Sequence, residues 1–387
     1  MPQPERVVQL LSDLVAHPTE SRTPNRALID WVGDHLTAFG ARVAVVEGPL
    51  GRANLVASVG PAIDGGVLLS GHSDVVPAGG GWSSDPFTLT ETAIGLVGRG
   101  SADMKGFIAC TLALVESVDV NALQRPLHLV LSYDEEVGCV GVRDVLEQLA
   151  DACQLAYVRP DLVVIGEPTM MRPRHSHLGK VSYRLSFRAN SGHSSLSPLL
   201  PSAIHAAARV VAAILGVGEA HVAQATRDHR GEATADVTVN IGTIQGGSAV
   251  NVLAEQCELT FEIRHSAAFN PDDLLAPVWL AVMAEQASLA CVDGGIERAE
   301  LSRYPALATD PSNRWARVVE RVADRGPSTP IGFGSEGGLF AEALDAAVII
   351  CGPGDIAVAH RPDEYVSREQ LRGCSQFLAQ LVEAVCC

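Results

Sequence analysis

Short apolar stretches alternate with helical patterns in the first part of the chain. Val67–Ser70, Leu127–Ser132 and Leu162–Ile165 are apolar runs of strand length, and they predict buried strands. Apolar residues recur at helical spacing in Phe107–Ser117 and Val142–Leu149, which predicts helices between these strands. Such alternation is typical of an α/β layer built on a mostly parallel sheet.

The pattern changes after about Arg172. In Lys180–Arg188 and Gln256–Arg264 every second side chain is apolar, and its neighbours are polar. Period-two alternation predicts strands with one face in water, as in an antiparallel sheet. With helical segments near Ser202–Leu215 and Pro271–Glu285, the order of elements predicts a split βαβ, ferredoxin-like arrangement.

The α/β pattern returns from about Tyr304. A helix is predicted near Ser312–Ala323, a strand at Ala347–Cys351 and a closing helix near Arg368–Val385. A chain of 387 residues is too long for one ordinary core, so two domains are expected.

The two predicted domains are of different classes. Residues 1–177 and 304–387 form an α/β domain with a mixed sheet flanked by helices. Residues 178–303 form an α+β domain that is inserted into it.

Composition excludes several classes of function. The net charge of −17 disfavours phosphate backbones and anionic membranes, so we expect neither nucleic acid nor membrane as a partner. The N-terminal segment reads as an amphipathic helix rather than a signal peptide, and no uninterrupted apolar run is long enough to span a bilayer. Nine cysteines without a Cys-x-x-Cys pair predict reduced thiols in a cytoplasmic protein, with Cys386 and Cys387 in an exposed tail.

Acidic and imidazole residues follow the predicted strands of the larger domain. They are His72 and Asp74, Asp134 to Glu136, Glu167 and His360, together with Asp103 before a helix. Alone, each has an ordinary structural explanation, such as a hydrogen-bonded histidine, a solvated glutamate pair or a helix cap. Together they converge on the sheet edge where α/β folds place their sites, and so much negative charge is repulsive unless cations neutralise it. Mixed imidazole and carboxylate ligands suit zinc, cobalt or manganese.

Five motifs occur in an order that resembles a known family. They are Gly71-His72-Ser73-Asp74-Val75-Val76-Pro77, Arg99 to Gly106, Asp134-Glu135-Glu136-Val137-Gly138, Gly166-Glu167-Pro168-Thr169 and Ser191-Gly192-His193-Ser194-Ser195. They resemble the co-catalytic zinc amidohydrolases, a family that includes acetylornithine deacetylase, succinyl-diaminopimelate desuccinylase, aminoacylase and carboxypeptidase-G-type enzymes. The resemblance covers nearly the whole chain.

The resemblance implies two metal positions in a zinc-peptidase-like catalytic domain. The first would be held by His72, Asp103 and Glu167. The second would be held by Asp103, Glu136 and His360, with Asp103 as the bridge. Zinc is the expected metal, with cobalt and manganese as alternatives.

The resemblance also implies roles for residues that do not bind metal. Glu135 would be the general base and acid, and Asp74 would orient His72. The inserted domain would be a lid and dimerisation domain, from which His193 would reach the site of the partner subunit and polarise the substrate carbonyl. Two metals about 3.5–4 Å apart lower the pKa of a shared water, whose proton a free carboxylate such as Glu135 accepts.

Three residues are candidates for binding the substrate. The guanidinium of Arg264 suits the α-carboxylate of an N-acyl amino acid, and Asn251 is a second candidate contact, although Ala254 stands where relatives often have proline. The segment from Phe333 to Phe340 looks most like the acetylornithine deacetylase branch. Its Glu336 either attracts a distant ammonium or is simply a carboxylate at a helix start.

The resemblance therefore implies hydrolysis of N2-acetyl-L-ornithine to L-ornithine and acetate, a step of arginine biosynthesis. Another N-acyl amino acid deacylase or a desuccinylase is the alternative within the class. A non-catalytic binding protein of the same fold is the alternative outside it, although such a protein need not keep Glu135 and all five ligands. No Gly-x-Ser-x-Gly motif beside a strand supports a serine hydrolase.

Overall fold

The structure is a computed structural model of the 387-residue chain. It describes residues 2–150, 159–221, 226–227, 233–324 and 330–387. The helices of this part are α1 Pro4–Val15, α2 Arg26–Ala38, α3 Gly106–Ser117, α4 Val142–Ala150, α5 Ala203–His221, α6 Pro271–Ala290, α7 Arg314–Ala323, α8 Gly337–Ala343 and α9 Arg368–Cys386. The strands are β1 Arg42–Glu47, β2 Ala53–Val59, β3 Val67–His72, β4 Thr90–Glu91, β5 Leu96–Val97, β6 Leu127–Ser132, β7 Leu162–Pro168, β8 Ser176–His177, β9 Gly179–Arg188, β10 Gly192–His193, β11 Thr226–Arg227, β12 Ala233–Thr234, β13 Val237–Gly246, β14 Val252–Leu253, β15 Gln256–His265, β16 Gly295–Tyr304, β17 Leu307–Ala308, β18 Ala347–Gly352 and β19 Tyr365–Val366.

The chain divides into two compact units. The main unit comprises Met1–Ser176, Ala308–Pro330 and Ser335–Cys387. The inserted unit comprises His177–Leu307 and Ile331–Gly334. The short piece 331–334 therefore groups with the inserted segment, which no feature of the sequence pattern indicated.

The main unit is built on a six-stranded sheet with the order β1-β2-β6-β3-β7-β18. The strands β6, β3, β7 and β18 are parallel, and β1 and β2 join one edge in antiparallel fashion. The predicted mixed sheet is thus confirmed. The apolar runs that predicted β3, β6, β7 and β18 are fully buried, as strands covered on both faces require.

Helix α3 is the central helix of the main unit. It is apolar on every side, and its residues from Gly106 to Val115 are buried. A helix that is apolar all round is stable only inside a core. Truncation of a side chain such as Leu112, which is fully buried, should cost about 2–5 kcal/mol of stability.

The inserted unit contains a four-stranded antiparallel sheet with the order β13-β15-β9-β16. In chain order this is the second, third, first and fourth strand, which confirms the split βαβ prediction. The alternating apolar residues of β9 and β15 are buried with residues of α5 and α6 in one core. The polar positions of these two strands are intermediate or exposed.

The C-terminal cysteines differ from what the sequence predicted. Cys386 is only 1% exposed, and its thiol lies 3.4 Å from the carbonyl oxygen of Pro126, so the prediction that both C-terminal cysteines form an exposed tail is wrong for Cys386.

By length and composition alone, α5 would be able to cross a membrane. Buried core helices pass the same test, and α5 carries Arg209, which pairs with Glu285 at 2.6 Å.

Candidate active site

The carboxyl ends of three neighbouring parallel strands bring the predicted metal ligands together. β3 ends at His72, β6 leads into Glu135 and Glu136, and β7 contains Glu167 near its end. Because β6, β3 and β7 are adjacent and parallel, these ends lie at the same edge of the sheet. The ends of these strands therefore bring a cluster of polar side chains together at one place in the main unit.

Asp103 lies between two imidazoles in this cluster. Its Oδ1 is 3.1 Å from Nε2 of His72, and its Oδ2 is 3.3 Å from Nε2 of His360. The same His360 nitrogen is 3.0 Å from Oε2 of Glu136. One carboxylate with one oxygen directed at each of two histidines has the arrangement that a bridging metal ligand needs.

Two groups of side chains have ligand atoms close enough to hold a metal ion. In each group the ligand atoms lie within 4.8 Å of one another. One group is His72, Asp103 and Glu136, and the other is His72, Glu135 and Glu167. The groups mix members of the two ligand sets that the resemblance implied, and Glu135, expected to be free of metal, lies among the ligands.

The charged side chains of the cluster shift one another's pKa values. Hydrogen bonds to Asp103 and Glu136 raise the pKa of His360 to about 10, although the ring is half-exposed. Burial tends to lower the pKa of His72, but its hydrogen bond to Asp103 and the charges of Asp103, Glu135 and Glu167 raise it well above the usual value. The two imidazoles hold the pKa of Asp103 below its usual range despite burial.

The remaining carboxylates are unfavourable as anions in this site. Burial raises the pKa of Glu135 to about 8, with a further contribution from the negative charge of Glu136. Burial and the charge of Asp103 raise the pKa of Glu167 well above its usual value, and Oε1 of Glu167 has no hydrogen-bond partner in the described chain. Buried carboxylates of this kind are stabilised by protons or by metal cations, so the donor set fits divalent metal ions.

Asp74 contacts more of the site than the sequence indicated. Nδ1 of His72 lies 2.9 Å from the backbone oxygen of Asp74, whereas the carboxylate is 3.7 Å away. The carboxylate instead accepts the N–H groups of Glu135 and Glu136, at 3.0 and 3.4 Å, and the hydroxyl of Ser21 at 2.8 Å. Asp74 therefore ties the His72 loop to the Glu135-Glu136 backbone.

Glu364 is a site residue that sequence reasoning missed. Its buried carboxylate accepts the N–H of Asp103 at 3.0 Å and pairs with the buried guanidinium of Arg99 at 2.7 Å. It stands four residues after His360, in a segment without strand or helix periodicity. The only sequence signal for Glu364 was that it lies close in sequence to His360, a candidate ligand.

Glu336 is buried in the main unit beside the cluster. It is 1% exposed, and its Oε2 lies 3.4 Å from the hydroxyl of Ser70 on β3. Burial raises its pKa to about 7. Oε1 of Glu336 has no hydrogen-bond partner in the described part of the chain, so the carboxylate retains one free acceptor.

The inserted unit brings two of its three predicted site residues together. β10 pairs with β14 so that His193 is opposite Val252, and the N–H of Ser194 donates to the carbonyl of Asn251 at 3.0 Å. Both His193 and Asn251 are exposed. Nδ1 of His193 accepts the N–H of Ser195 at 3.2 Å, which assigns the ring proton to Nε2.

Arg264 does not join them. It lies near the far end of β15, whereas His193 and Asn251 lie beyond the Gln256 end, because Gln256 pairs with Arg188 and the N–H of Ala189 donates to Glu255. Eight residues of extended strand span about 26 Å. Nε of Arg264 is bound to Oε1 of Glu262 at 2.9 Å, and the side chain is 25% exposed.

The chain is similar to known proteins over nearly its whole length. An acetylornithine deacetylase from Pasteurella multocida (strain Pm70) is 32% identical over 394 residues, which cover 98% of each chain. An M20 family metallo-carboxypeptidase from Sulfolobus solfataricus superimposes with a TM-score of 0.76 at 15% identity, covering 97% of this chain and 98% of that one. The YXEP protein of Bacillus subtilis, described as a dinuclear metal-binding peptidase of the M20 family, gives a TM-score of 0.67 at 15% identity, with 98% and 97% covered.

The structural neighbours confirm the fold, and the sequence matches establish the family. The family model described as peptidase family M20/M25/M40 matches residues 68–384, which include every candidate metal ligand. On this match and the full-length similarity to its relatives, the chain belongs to peptidase family M20/M25/M40.

Proposed function

We propose that this protein is a two-metal deacetylase that hydrolyses the amide bond of N2-acetyl-L-ornithine to L-ornithine and acetate. The observation that carries the hydrolase is the contact of Asp103 with both His72 and His360 inside a cluster of buried carboxylates. The observation that carries the substrate is full-length similarity to a relative named acetylornithine deacetylase. Production of ornithine would place the reaction in arginine biosynthesis.

The ligands would be divided as the family resemblance implies. His72, Asp103 and Glu167 would hold one ion, and Asp103, Glu136 and His360 the other. Zinc suits the mixture of imidazole and carboxylate, and cobalt or manganese would be accepted by the same set. When bound, such a pair of cations supplies Lewis-acid activation of a water molecule and of the amide carbonyl.

Glu135 has the position of a proton carrier. Adjacent side chains of one chain segment point in different directions, so Glu136 can bind metal while Glu135 accepts the proton of the attacking water. Glu135 then passes this proton to the nitrogen of the leaving amine. The N–H groups of Glu135 and Glu136 are both held by Asp74, which fixes the backbone that carries the pair.

His193 would stabilise the oxyanion that forms when the carbonyl is attacked. Because Nδ1 of His193 accepts from Ser195, the proton on Nε2 is available for donation to a carbonyl oxygen. Arg264 would receive the α-carboxylate of the substrate in exchange for its present partner Glu262. Asn251, beside His193, would contribute a polar contact.

The positions of these residues support a shared site. His193, on β10, lies beyond the Gln256 end of β15, whereas Arg264 is near the other end of this strand. The stretch of β15 between Gln256 and Arg264 spans about 26 Å, which is too long for both residues to contact one small substrate from the same chain. A homodimer in which His193 enters the site of the partner subunit removes this conflict.

The edges of the inserted sheet support the same dimer. Edge strand β16 carries Glu297, Arg298 and Glu300, and charges of this kind protect an edge from pairing. The other edge strand, β13, carries no charged residue; its own Ile244 is 51% exposed, and Val250, shortly after it, is 101% exposed. We propose that β13 faces a second copy of the chain, as a two-fold interface requires.

Substrate choice would depend on the charge of the side chain. Glu336, with one free carboxylate oxygen, is our candidate partner for the δ-ammonium of ornithine, and its burial means that this ammonium would be almost fully desolvated. A buried charge left unpaired by an uncharged analogue makes the analogue a poor substrate. We further propose a cytoplasmic location, which suits a protein whose described cysteines are all free thiols.

One panel experiment tests the function. Zinc- and cobalt-loaded protein is assayed with N-acetylornithine, N-acetylnorvaline, other N-acyl amino acids and N-succinyl-diaminopimelate. We expect the highest kcat/KM for N-acetylornithine. Preference for another acyl amino acid would retain the deacylase and reject the ornithine assignment, and no turnover of any amide by metal-replete protein would favour a binding protein.

A further inference from the structure

The carboxylate of Glu364 accepts four hydrogen bonds beside the candidate metal ligands. Oε2 accepts from the guanidinium of Arg99 at 2.7 Å and from the N–H of Gly100 at 3.1 Å. Oε1 accepts from the N–H groups of Ala102 and Asp103, each at 3.0 Å. Glu364 is 1% exposed, so these four bonds replace water completely.

Arg99 extends this network to two further segments. Its guanidinium lies 3.4 Å from the carbonyl oxygen of Arg361 and 3.3 Å from that of Ala78. It also stacks on the ring of Trp82, at 5.0 Å from the centroid. Arg99 is 2% exposed, so its charge is balanced mainly by Glu364.

Each of the three segments that meet at this pair carries or follows a candidate ligand. The segment with Ala78 follows directly from His72 and Asp74. The segment from Gly100 to Asp103 presents the bridging carboxylate, and Arg361 is the neighbour of His360. A single buried ion pair therefore connects the segments of Asp103 and His360, two of the three residues assigned to the second metal position.

We propose that Glu364 is a positioning residue that holds Asp103 and His360 in register for the second metal ion. This inference rests on the proposed two-metal function. Residues that fix ligands from outside the coordination sphere typically change metal affinity 10- to 100-fold when they are replaced. A purely structural ion pair would instead change stability and leave the metal constants alone.

The chain offers graded variants and a matched control. Glu364→Gln keeps the shape but directs an NH2 group at backbone N–H donors, so two acceptor bonds are lost. Glu364→Asp keeps the charge in the same pocket and cannot reach all four donors. Asp363→Asn changes the adjacent carboxylate, which accepts the N–H and the hydroxyl of Ser83 at 2.8 and 2.7 Å.

The experiment measures metal binding directly. The dissociation constants of both zinc ions are determined by chelator competition on the full chain, and the visible spectrum is recorded during cobalt titration. In Glu364→Gln we expect the weaker constant to rise about 10- to 100-fold, with an altered spectrum for the second cobalt ion. Glu364→Asp should show a smaller change in the same direction, and Asp363→Asn should match the wild type.

A second readout separates positioning from damage to the substrate site. At limiting zinc, Glu364→Gln should lose kcat with KM unchanged, and added zinc should restore most of the kcat. Constants within twofold of the wild type in both Glu364 variants would overturn the proposal, as would an equal loss at both metal positions in folded Glu364→Asp. A wild-type protein that binds fewer than two ions would reject the two-metal function itself.

Discussion

The main unit and the inserted unit hold their functional residues in opposite ways. In the main unit, a chain of contacts of 3.0–3.3 Å links His72 to Asp103, Asp103 to His360 and His360 to Glu136, and all but the half-exposed His360 have nearly buried side chains. In the inserted unit, His193 is exposed, and Arg264 is bound to Glu262 at the other end of a strand. The comparison teaches that one chain brings its candidate metal ligands together by itself, whereas under the proposed function its recognition residues would need a second chain and a substrate.

The strongest test of the main unit is the loss of its proposed proton carrier. Glu135→Gln removes the acceptor for the proton of water but keeps the size of the side chain, so kcat should fall by up to about 10⁴-fold. Metal content, measured by elemental analysis, should stay near two equivalents per chain. Glu147→Gln, an exposed change on α4, is the control and should be fully active. Near-normal kcat in Glu135→Gln would remove this residue from the mechanism.

The matching test of the inserted unit is the loss of its proposed oxyanion donor. His193→Ala should lower kcat about 10²- to 10³-fold, as removal of one such donor does elsewhere, and metal binding should be intact. His205→Ala, on the exposed side of α5, is the control. The comparison breaks if His193→Ala loses metal, because a residue of the inserted unit would then belong to the metal centre.

Mixed dimers sharpen this test. A dimer of one His193→Ala chain and one Glu135→Ala chain contains one intact site only if His193 crosses between subunits. We expect such mixtures to recover activity that neither parent shows. No recovery in dimers verified by mass would mean that His193 acts within its own chain or not at all.

The buried His128 of the main unit should make the stability of the protein depend on pH in the acid range. Burial lowers the pKa of His128 to about 4, against about 6.5 in an unfolded chain. The folded state therefore holds His128 neutral. The contribution of His128 to the free energy of unfolding is complete above pH 6.5. This contribution decreases by roughly 3 kcal/mol in total as the pH falls towards 4. In urea titrations of metal-free protein between pH 6.5 and 4, His128→Asn should have a shallower pH dependence than the wild type, by up to about 1.4 kcal/mol per pH unit. His205→Asn should keep the wild-type slope, and an unchanged slope in His128→Asn would show that His128 titrates normally.

The smallest expected effect concerns substrate choice. Glu336→Gln should reduce the preference for N-acetylornithine over N-acetylnorvaline by about 1–3 kcal/mol in kcat/KM, because the ammonium loses its charged partner. Glu342→Gln, exposed on α8, should keep the preference. A preserved preference in Glu336→Gln would leave Glu336 as a carboxylate bound to Ser70 without a role in recognition.

The regular parts of the fold were predictable because their patterns are local. The apolar runs of β3, β6, β7 and β18 and the alternation of β9 and β15 identified these strands to within a few residues. Strands β1 and β2 were missed, because β1 pairs only with β2, and the pairing of β2 with β6 is set by contacts distant in sequence. The family and the prediction of a hydrolase are confirmed by the comparisons.

The candidate site was only partly predictable. Parallel strand ends must meet, so His72, Glu135, Glu136 and Glu167 were expected together, whereas His360 follows its strand by eight residues and depended on the family resemblance. Networks between distant loops leave no periodic trace. The pairing of Glu364 with Arg99 and the bonds of the Asp74 carboxylate to the Glu135-Glu136 backbone therefore became visible only in three dimensions.

The length of β15 has a consequence for how the enzyme would respond to dilution. A site that needs the two ends of this strand from different copies exists only while two chains are associated. Mass action then makes the activity per chain depend on protein concentration, and this activity should fall below the dissociation constant of the dimer while each separated chain keeps its metal. The amount of protein in the cell would thus act as a threshold for catalysis, without any regulatory ligand.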